Sequence, residues 1–225
     1  LTAYPLVLLE STIFYNDYVK KQKYEAPAED REIDLFRYTH EKLMSGEYNN
    51  DYSIRDYGKP GYECRYIRLN AESNQIIALG AGAHGYLAGQ TYHNEKSTKE
   101  YIQTILQKGI LPLAGQRFTT EYEEMQRFMV MGLRLEKFES LRFKERFGVP
   151  VEQVFGDRLD EVVQSGYLQK PSPLAGEFSS SVNEPTLGTY THTMDGLIWA
   201  NNIRTLFEDG AAKSVGYSDT LSVGG

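Results

Sequence analysis

Cysteine, long apolar runs and positive charge are all scarce in this sequence. The 225 residues include one cysteine, so the chain cannot form an internal disulfide, a paired-cysteine metal site or, by itself, an iron–sulfur cluster. No apolar run is long enough for a transmembrane helix, and the mean hydropathy is -0.49. A net charge of -7 repels phosphate backbones. We therefore expect a cytoplasmic protein with no transmembrane segment and no nucleic-acid partner.

The chain starts with LTAYPLVLL, which resembles the interior of a buried strand more than a beginning. No positively charged segment precedes an apolar one, so the segment is not typical of a signal peptide. We expect the chain to be one piece of a larger enzyme.

Residues 1–111 alternate between strand and helix patterns. Strands are predicted at 3–9, around Tyr52 and Ile54, at 64–69 and at 75–79. Helices are predicted from Asp30 to Gly46 and from Ser97 or Thr98 to Gly109. This alternation without hairpin signals favours an α/β fold with a mostly parallel sheet.

After Pro112 the pattern becomes mostly helical. Thr120 and Glu123 have the spacing of a capping box for a long helix. Helices follow at 139–147 and 151–164, then strands GYLQK and TYTHT around a loop, and a last helix from Met194. This order is winged-helix-like. Residues 125–208 hold nine Lys or Arg against eleven Asp or Glu, a balance that disfavours DNA binding. We predict domains at 1–111 and 112–210, and a flexible tail at 211–225.

The stretch GAGAHGY, directly after the apolar IIAL, is the strongest local signal for a ligand site. Glycine lets backbone come close to a ligand, and α/β folds bind ligands at the ends of their strands. The GxGxxG spacing resembles a dinucleotide motif, but YLAGQTYHN follows where a helix should begin. We therefore reject a Rossmann site. His84 by itself is more typical of a hydrogen-bonded structural histidine.

Five motifs in order resemble the oxygen-independent coproporphyrinogen III oxidase family of radical S-adenosylmethionine proteins, and most of all its heme-chaperone-like branch. They are YSIRDYGKPGYECR, ALGAGAHGYL, MVMGLRL, RFG and DGLIWAN. The resemblance covers residues 1 to about 210. It implies the C-terminal strands of a partial (β/α) radical SAM barrel, followed by a mostly helical domain that covers the barrel mouth.

The resemblance also implies site residues. Gly82, Ala83 and His84 would lie beside S-adenosylmethionine, as would Leu6 in the strand matched near Pro5 to Val7. Arg55 and Arg65 are candidates for pairing substrate carboxylates, although exposed arginines more often form surface salt bridges.

Three departures from the family pattern stand out. The CxxxCxxC motif that binds a [4Fe–4S] cluster is not in this chain, so we expect no radical reaction from the chain alone. The branch's heme-ligand motif H-N-x-x-Y has Tyr66, Ile67 and Asn70 in place of its named residues. Tyrosine can ligate ferric heme, but we expect Tyr66 to pack instead. Thr91 stands near the place of a family arginine.

Three interpretations stay open. The chain is a C-terminal piece of a porphyrinogen oxidoreductase in heme biosynthesis, whose cluster and remaining barrel half lie in a missing N-terminal region. Alternatively, it is a heme-binding or heme-delivery protein without oxidase activity, partnered by heme or another tetrapyrrole. The third possibility is an inactive truncated homologue.

Overall fold

The buried apolar core lies in the second half of the chain. The computed structural model describes residues 1–6, 9–10, 12–24, 28–50, 53–73, 75–173 and 188–208. Its main cluster of buried apolar side chains lies between Met125 and Phe207. Before residue 119, many large apolar side chains are exposed, among them Ile13, Leu79 and Phe118. Hydrophobic burial therefore stabilises the C-terminal part most strongly.

Short helices and strands alternate along the described residues. The helices are α1 (Ile13–Tyr15), α2 (Glu29–Ser45), α3 (Arg65–Ala71), α4 (Thr98–Gln103), α5 (Glu121–Gly132), α6 (Ser140–Phe147), α7 (Val151–Gln164), α8 (Met194–Ile198) and α9 (Ala200–Thr205). Single π-helical segments, Asn16–Lys20 and Thr104–Lys108, continue α1 and α4. The strands are β1 (His84–Leu87), β2 (Gln90–Asn94), β3 (Leu113–Phe118), β4 (Lys137–Glu139), β5 (Leu168–Pro173) and β6 (Gly188–His192). No helix of the described residues is long and apolar enough to cross a membrane.

The C-terminal core has the predicted winged-helix-like order. Helix α5, strand β4, helices α6 and α7 and strands β5 and β6 follow one another, and the antiparallel sheet has the order β4-β6-β5. The ring of Phe128 meets the rings of Phe138, Phe143 and Phe147 edge-on, at centroid distances of 6.1, 5.6 and 5.7 Å. Edge-to-face aromatic pairs add to the stabilisation that burial provides, so this cluster holds α5, β4 and α6 together.

The ends of the core helices follow the sequence signals. Thr120 and Glu123 form the predicted capping box at the start of α5. Gly148 ends α6 with a left-handed backbone, φ 76°, which a glycine adopts without strain. The prediction of a single last helix is wrong, because the helix is interrupted at Trp199 and forms α8 and α9. Trp199 has φ -92° and ψ 13°, outside the helical range.

The first sheet is an antiparallel hairpin with a third strand. Strands β1 and β2 are joined by Ala88 and Gly89, both at positive φ (50° and 74°), as a two-residue hairpin turn requires. Strand β3 pairs with β2, and the register shifts between His93 and Asn94, so that Ala114 is an additional residue in β3. Because β3 begins at Leu113, this sheet extends past the predicted domain boundary near residue 112.

The predicted parallel pairing is wrong for the described residues, whose sheets are antiparallel throughout. The strands predicted at 3–9 and 75–79 are also not formed over the parts that the structure describes, residues 3–6, 9 and 75–79. Thr2, just before the first of these segments, makes one isolated bridge to Asp56, and Ile76 makes one to Tyr86. A strand needs a neighbouring ladder to satisfy its backbone groups, and within the described residues these segments find only single bridges.

The predicted strand at 64–69 is a helix. The apolar residues of CRYIRL do not strictly alternate with polar ones, because Tyr66 and Ile67 are adjacent, and Ile67 and Ala71 are four apart, as on one helix face. The structure follows this helical spacing and forms α3, with Ala71 buried. Predictions for Val7, Tyr52, residues 174–187 of the loop predicted at 172–188 and the tail at 211–225 lie outside the described residues. The two ends of that predicted loop are strand, because β5 continues to Pro173 and β6 begins at Gly188.

Gly196 in α8 provides a test of the core packing. A Cβ at this position would overlap the backbone carbonyl of Tyr167, which cannot rotate away. We expect Gly196→Ala to lower the free energy of unfolding by about 2–3 kcal/mol, as measured by urea denaturation. Gly156→Ala is the matched control. Its Cβ would meet nothing within 4 Å in α7, and it should be neutral or stabilising. Equal effects of the two substitutions would contradict this packing.

His192 makes the stability of the core depend on pH. It is 6% exposed, its Nε2 lies 3.2 Å from the Leu133 carbonyl oxygen, and burial lowers its pKa to about 4. As pH falls, the unfolded chain takes up the proton first, with an ordinary pKa near 6.5. The contribution of His192 to the free energy of unfolding is therefore fully present above pH 6.5, and about 3 kcal/mol is lost as the pH falls from 6.5 to 4.

His192→Gln, which keeps a donor for Leu133, should remove this part of the pH dependence. The measurement is the difference between the wild-type and variant curves of unfolding free energy against pH. The difference is needed because His40 has a pKa that burial lowers in the same direction. Parallel curves would contradict the assignment to His192.

Candidate functional site

The glycine loop leads into β1 through two left-handed glycines. Gly80 has φ 98° and Gly82 has φ 70°, values that residues with a Cβ rarely adopt. A Cβ on Gly80 would meet nothing within 4 Å. The backbone conformation, and not crowding, therefore requires glycine at this position.

Three polar side chains hold this loop in one conformation. The Tyr92 hydroxyl accepts a hydrogen bond from the Ala78 N–H at 2.9 Å, and the Tyr101 hydroxyl accepts one from the Gly80 N–H at 3.1 Å. The Asn94 amide, 3% exposed, donates to the carbonyls of Ala78 (3.3 Å) and Gly80 (2.9 Å). These anchors were not evident from the sequence pattern. A signal for Tyr92 and Asn94 is the TYHN segment of β2, which follows the loop by a few residues, whereas Tyr101 lies further along the chain, in α4.

Gly85 is required for a different reason. A Cβ there would overlap the ring of Tyr92, its partner across the hairpin. The ring covers the backbone of Gly85 and so brings the Tyr92 hydroxyl to Ala78. The loop therefore has a fixed backbone and few side chains, and it needs glycine at Gly80, Gly82 and Gly85.

The candidate residues for S-adenosylmethionine lie in two places. Gly82 donates its N–H to the Glu95 carbonyl at 2.8 Å, and the Ala83 carbonyl accepts from the Asn94 N–H at 2.9 Å. His84 follows as the first residue of β1, with an exposed side chain. Leu6 is 52% exposed in the segment before α1. Contact with the cofactor stays a prediction for all four.

Arg55 is occupied by contacts within the protein. Its guanidinium donates to the Ile198 carbonyl at 3.1 Å and lies 4.3 Å from the centre of the Phe36 ring. The side chain is nearly buried, and burial lowers the pKa of the guanidinium. These contacts join the first half of the chain to α8, so they account for Arg55 without a substrate carboxylate.

Arg65, the other candidate for a carboxylate, begins α3 and is exposed. The same helix carries the three positions of the altered heme-ligand motif. The prediction that Tyr66 packs is wrong, because its side chain is 62% exposed. Around it, Tyr62 and Leu69 are 84% and 49% exposed, and Cys64 is also exposed. This surface combines apolar area with an arginine.

A polar cluster joins β1 to the C-terminal core, and the sequence did not reveal it. Glu124 in α5 accepts hydrogen bonds from the hydroxyls of Tyr86 and Thr119, and Arg146 pairs with it at 3.3 Å. The Arg127 guanidinium lies 3.8 Å from the centre of the Tyr86 ring. Burial, and next the carboxylate of Glu124, raise the pKa of the Tyr86 hydroxyl, so it stays a donor.

Within the part of the chain that the structure describes, no three His, Cys, Asp or Glu side chains converge as a metal site. A [4Fe–4S] cluster needs several cysteine ligands, and the chain holds Cys64 alone. The residues present therefore do not fit a cluster.

Comparisons with known proteins agree with this architecture. Residues 119–170 match the family model of the HemN C-terminal domain. The chain is 29% identical over 168 residues to the heme chaperone HemW of Bacillus subtilis (strain 168), covering 74% of this chain and 44% of the relative. It is 28% identical over 172 residues to the heme chaperone HemW of Lactococcus lactis subsp. lactis (strain IL1403), covering 73% and 42%.

A solved structure shares the fold. Coproporphyrinogen III oxidase (HemN) from Escherichia coli, described as a radical SAM enzyme, aligns with a TM-score of 0.58 at 13% sequence identity. The alignment covers 83% of this chain and 44% of that one. The match confirms the expected fold class, and the family model shows that residues 119–170 are similar to the HemN C-terminal domain.

More particularly, the chain is similar to the C-terminal portion of HemN/HemW-like proteins. It spans less than half the length of the curated relatives that it matches.

Asn94 tests how the loop is held. Asn94→Ala removes the donor from two partly buried carbonyls, and an unsatisfied buried polar group costs about 1–3 kcal/mol. We expect a loss of about 2 kcal/mol in the free energy of unfolding and faster hydrogen exchange at the Gly80 and Gly82 amides. The exposed Asn202→Ala is the control. Unchanged exchange in the loop of the Asn94 variant would contradict its anchoring role.

Proposed function

We propose that this chain is the heme-handling C-terminal portion of a HemW-like protein and that α3 with the residues before it binds heme. The curated relatives described above are named heme chaperones, at 28–29% identity. The oxidase is 13% identical, a level that supports the fold alone. Heme binding is therefore the better supported of the two activities.

The observation that carries the proposal is the exposed surface of Tyr62, Tyr66 and Leu69, hereafter the α3 surface. These side chains are 84%, 62% and 49% exposed. Heme is a flat apolar plane with two propionates, so it matches aromatic and aliphatic area bordered by cations. Arg65 and Arg68, both exposed on α3, supply guanidinium groups that pair with carboxylates.

The iron finds different ligands here than in the family motif. Tyr66 stands where the branch has its histidine, and it is 62% exposed. A tyrosine oxygen is a hard anionic ligand that ligates ferric heme, as does a cysteine thiolate. Cys64, at the start of α3, is exposed and provides the second candidate ligand. We expect ferric heme to bind in preference to ferrous heme.

The glycine loop has a separate role in this proposal. In the complete protein, Gly82, Ala83 and His84, together with Leu6, would lie against S-adenosylmethionine. The loop N–H groups are already bonded, at Gly80 to Tyr101 and at Gly82 to Glu95. The loop would therefore let its backbone come close to the cofactor, and these two N–H groups would not donate hydrogen bonds to it. Reductive cleavage of the cofactor needs the cluster, which this chain does not bind, so this chain alone does not catalyse it.

Hemin titration of the 225-residue chain tests heme binding. We expect a Soret shift that saturates at one heme per chain. Tyr66→Phe should remove the tyrosinate charge-transfer absorption or weaken binding at least tenfold, because the ligand oxygen is lost. Arg65→Ala should weaken binding by about tenfold through loss of a charge-assisted hydrogen bond.

Tyr38→Phe is the matched control, since Tyr38 is 63% exposed on α2. It should bind hemin as the wild type does. Cys64→Ser tells which of the two candidate ligands binds iron. A wild-type chain that gives no saturable Soret shift would refute the proposal and favour an inactive homologue.

A further inference from the structure

Two histidines face each other across the first hairpin. His84 in β1 lies directly opposite His93 in β2. Their rings are stacked, with centroids 5.4 Å apart and an angle of 25° between the ring planes. Directly opposed residues of an antiparallel pair have their Cβ atoms about 4.5–5.5 Å apart, so the backbone places both imidazoles on one face of the sheet.

The next strand leaves room for this pair. His93 lies opposite Gly115 in β3, and its ring covers the backbone of that glycine. A Cβ on Gly115 would lie 3.2 and 3.3 Å from the ring nitrogens Nδ1 and Nε2 of His93. The glycine therefore gives the imidazole its place on the sheet and keeps both of its nitrogens clear of a neighbouring side chain.

Both imidazoles are accessible. His84 is exposed and His93 is partly exposed. Among the described residues, neither ring forms a hydrogen bond or an ion pair with another side chain, and the stacking described above is their shared contact. Structural histidines usually have a hydrogen-bond partner for a ring nitrogen. The His40 and His192 rings each have one, from the Tyr57 hydroxyl and the Leu133 carbonyl.

We propose that His84 and His93 together bind a divalent transition-metal ion of the Zn²⁺, Ni²⁺ or Cu²⁺ type. Neutral imidazole is a preferred ligand for these ions, with metal–nitrogen distances of about 2.0–2.1 Å. Two such bonds span about 4 Å, less than the 5.4 Å between the ring centroids. Rotation about the side-chain bonds of the exposed His84 brings its nitrogen within that reach.

The site has the features of an exchangeable one. No third His, Cys, Asp or Glu joins the pair within the described ranges, so water or an external ligand completes the coordination. Closed structural zinc sites have four protein ligands. The pair therefore binds an ion reversibly without being needed for folding. This inference concerns the side chains of the pair and does not depend on heme binding at the α3 surface.

Calorimetric titration of the 225-residue chain with Ni²⁺ and with Zn²⁺, at pH 7.5 and without hemin, tests the pair. We expect one ion per chain. His93→Gln and His84→Gln should each weaken binding at least tenfold, because each leaves a single imidazole. His40→Gln is the matched control, a histidine outside the pair that should leave the binding constant unchanged.

Circular dichroism and thermal unfolding of each variant establish that it is folded. Two results would overturn the proposal. One is a wild-type chain without saturable binding, and the other is binding that persists in the folded His84→Gln and His93→Gln variants. Loss of binding in both variants, with the His40→Gln value intact, supports it whatever the outcome of the hemin titration.

Discussion

The carboxylate of Glu124 is the interaction on which the position of the hairpin depends. It projects from the first turns of α5 and accepts the hydroxyl of Tyr86 from β1. Its other partners are Thr119 and Arg146. The same helix contributes Met125 and Met129 to the buried core. A charged group in this half-buried setting is stabilised only while its partners surround it. The cluster therefore fixes the angle of the sheet against the core.

The arrangement of the candidate sites follows from that fixed angle. Strand β1 begins at His84, two residues before Tyr86, so the end of the glycine loop is held by the same strand. Arg127 and Arg146 both donate to the Ser73 carbonyl, just after α3. The loop and the α3 surface are thus connected to one helix pair, although their proposed ligands differ. A change in α5 would affect both.

Local signals in the sequence were reliable where a few residues determine the structure. Thr120 with Glu123 marks the start of α5, and Gly148 marks the end of α6, because caps depend on neighbouring residues alone. Ladder partners are not encoded locally, and so the strand predicted at 75–79, and the described part of the one predicted at 3–9, are not formed. The turn at Ala88 was missed because alanine seldom adopts positive φ. The glycine loop was recognised from its composition, whereas its anchors Tyr92 and Tyr101 require knowledge of the hairpin.

The additional residue in β3 also limits how this region can vary in length. His93 pairs with Gly115 and Asn94 pairs with Leu113, so Ala114 has no partner in β2. A bulge of this kind bends its strand and re-aims the side chains beside it. Deleting that residue from β3 would restore a regular one-to-one pairing with β2. The side chains of β3 beyond the deletion would then point to the opposite face of the sheet. Homologues that lack the residue would therefore have to rebuild the pairing of Asn94 with Leu113, whereas extra residues in the loop before β3 would leave this pairing unchanged.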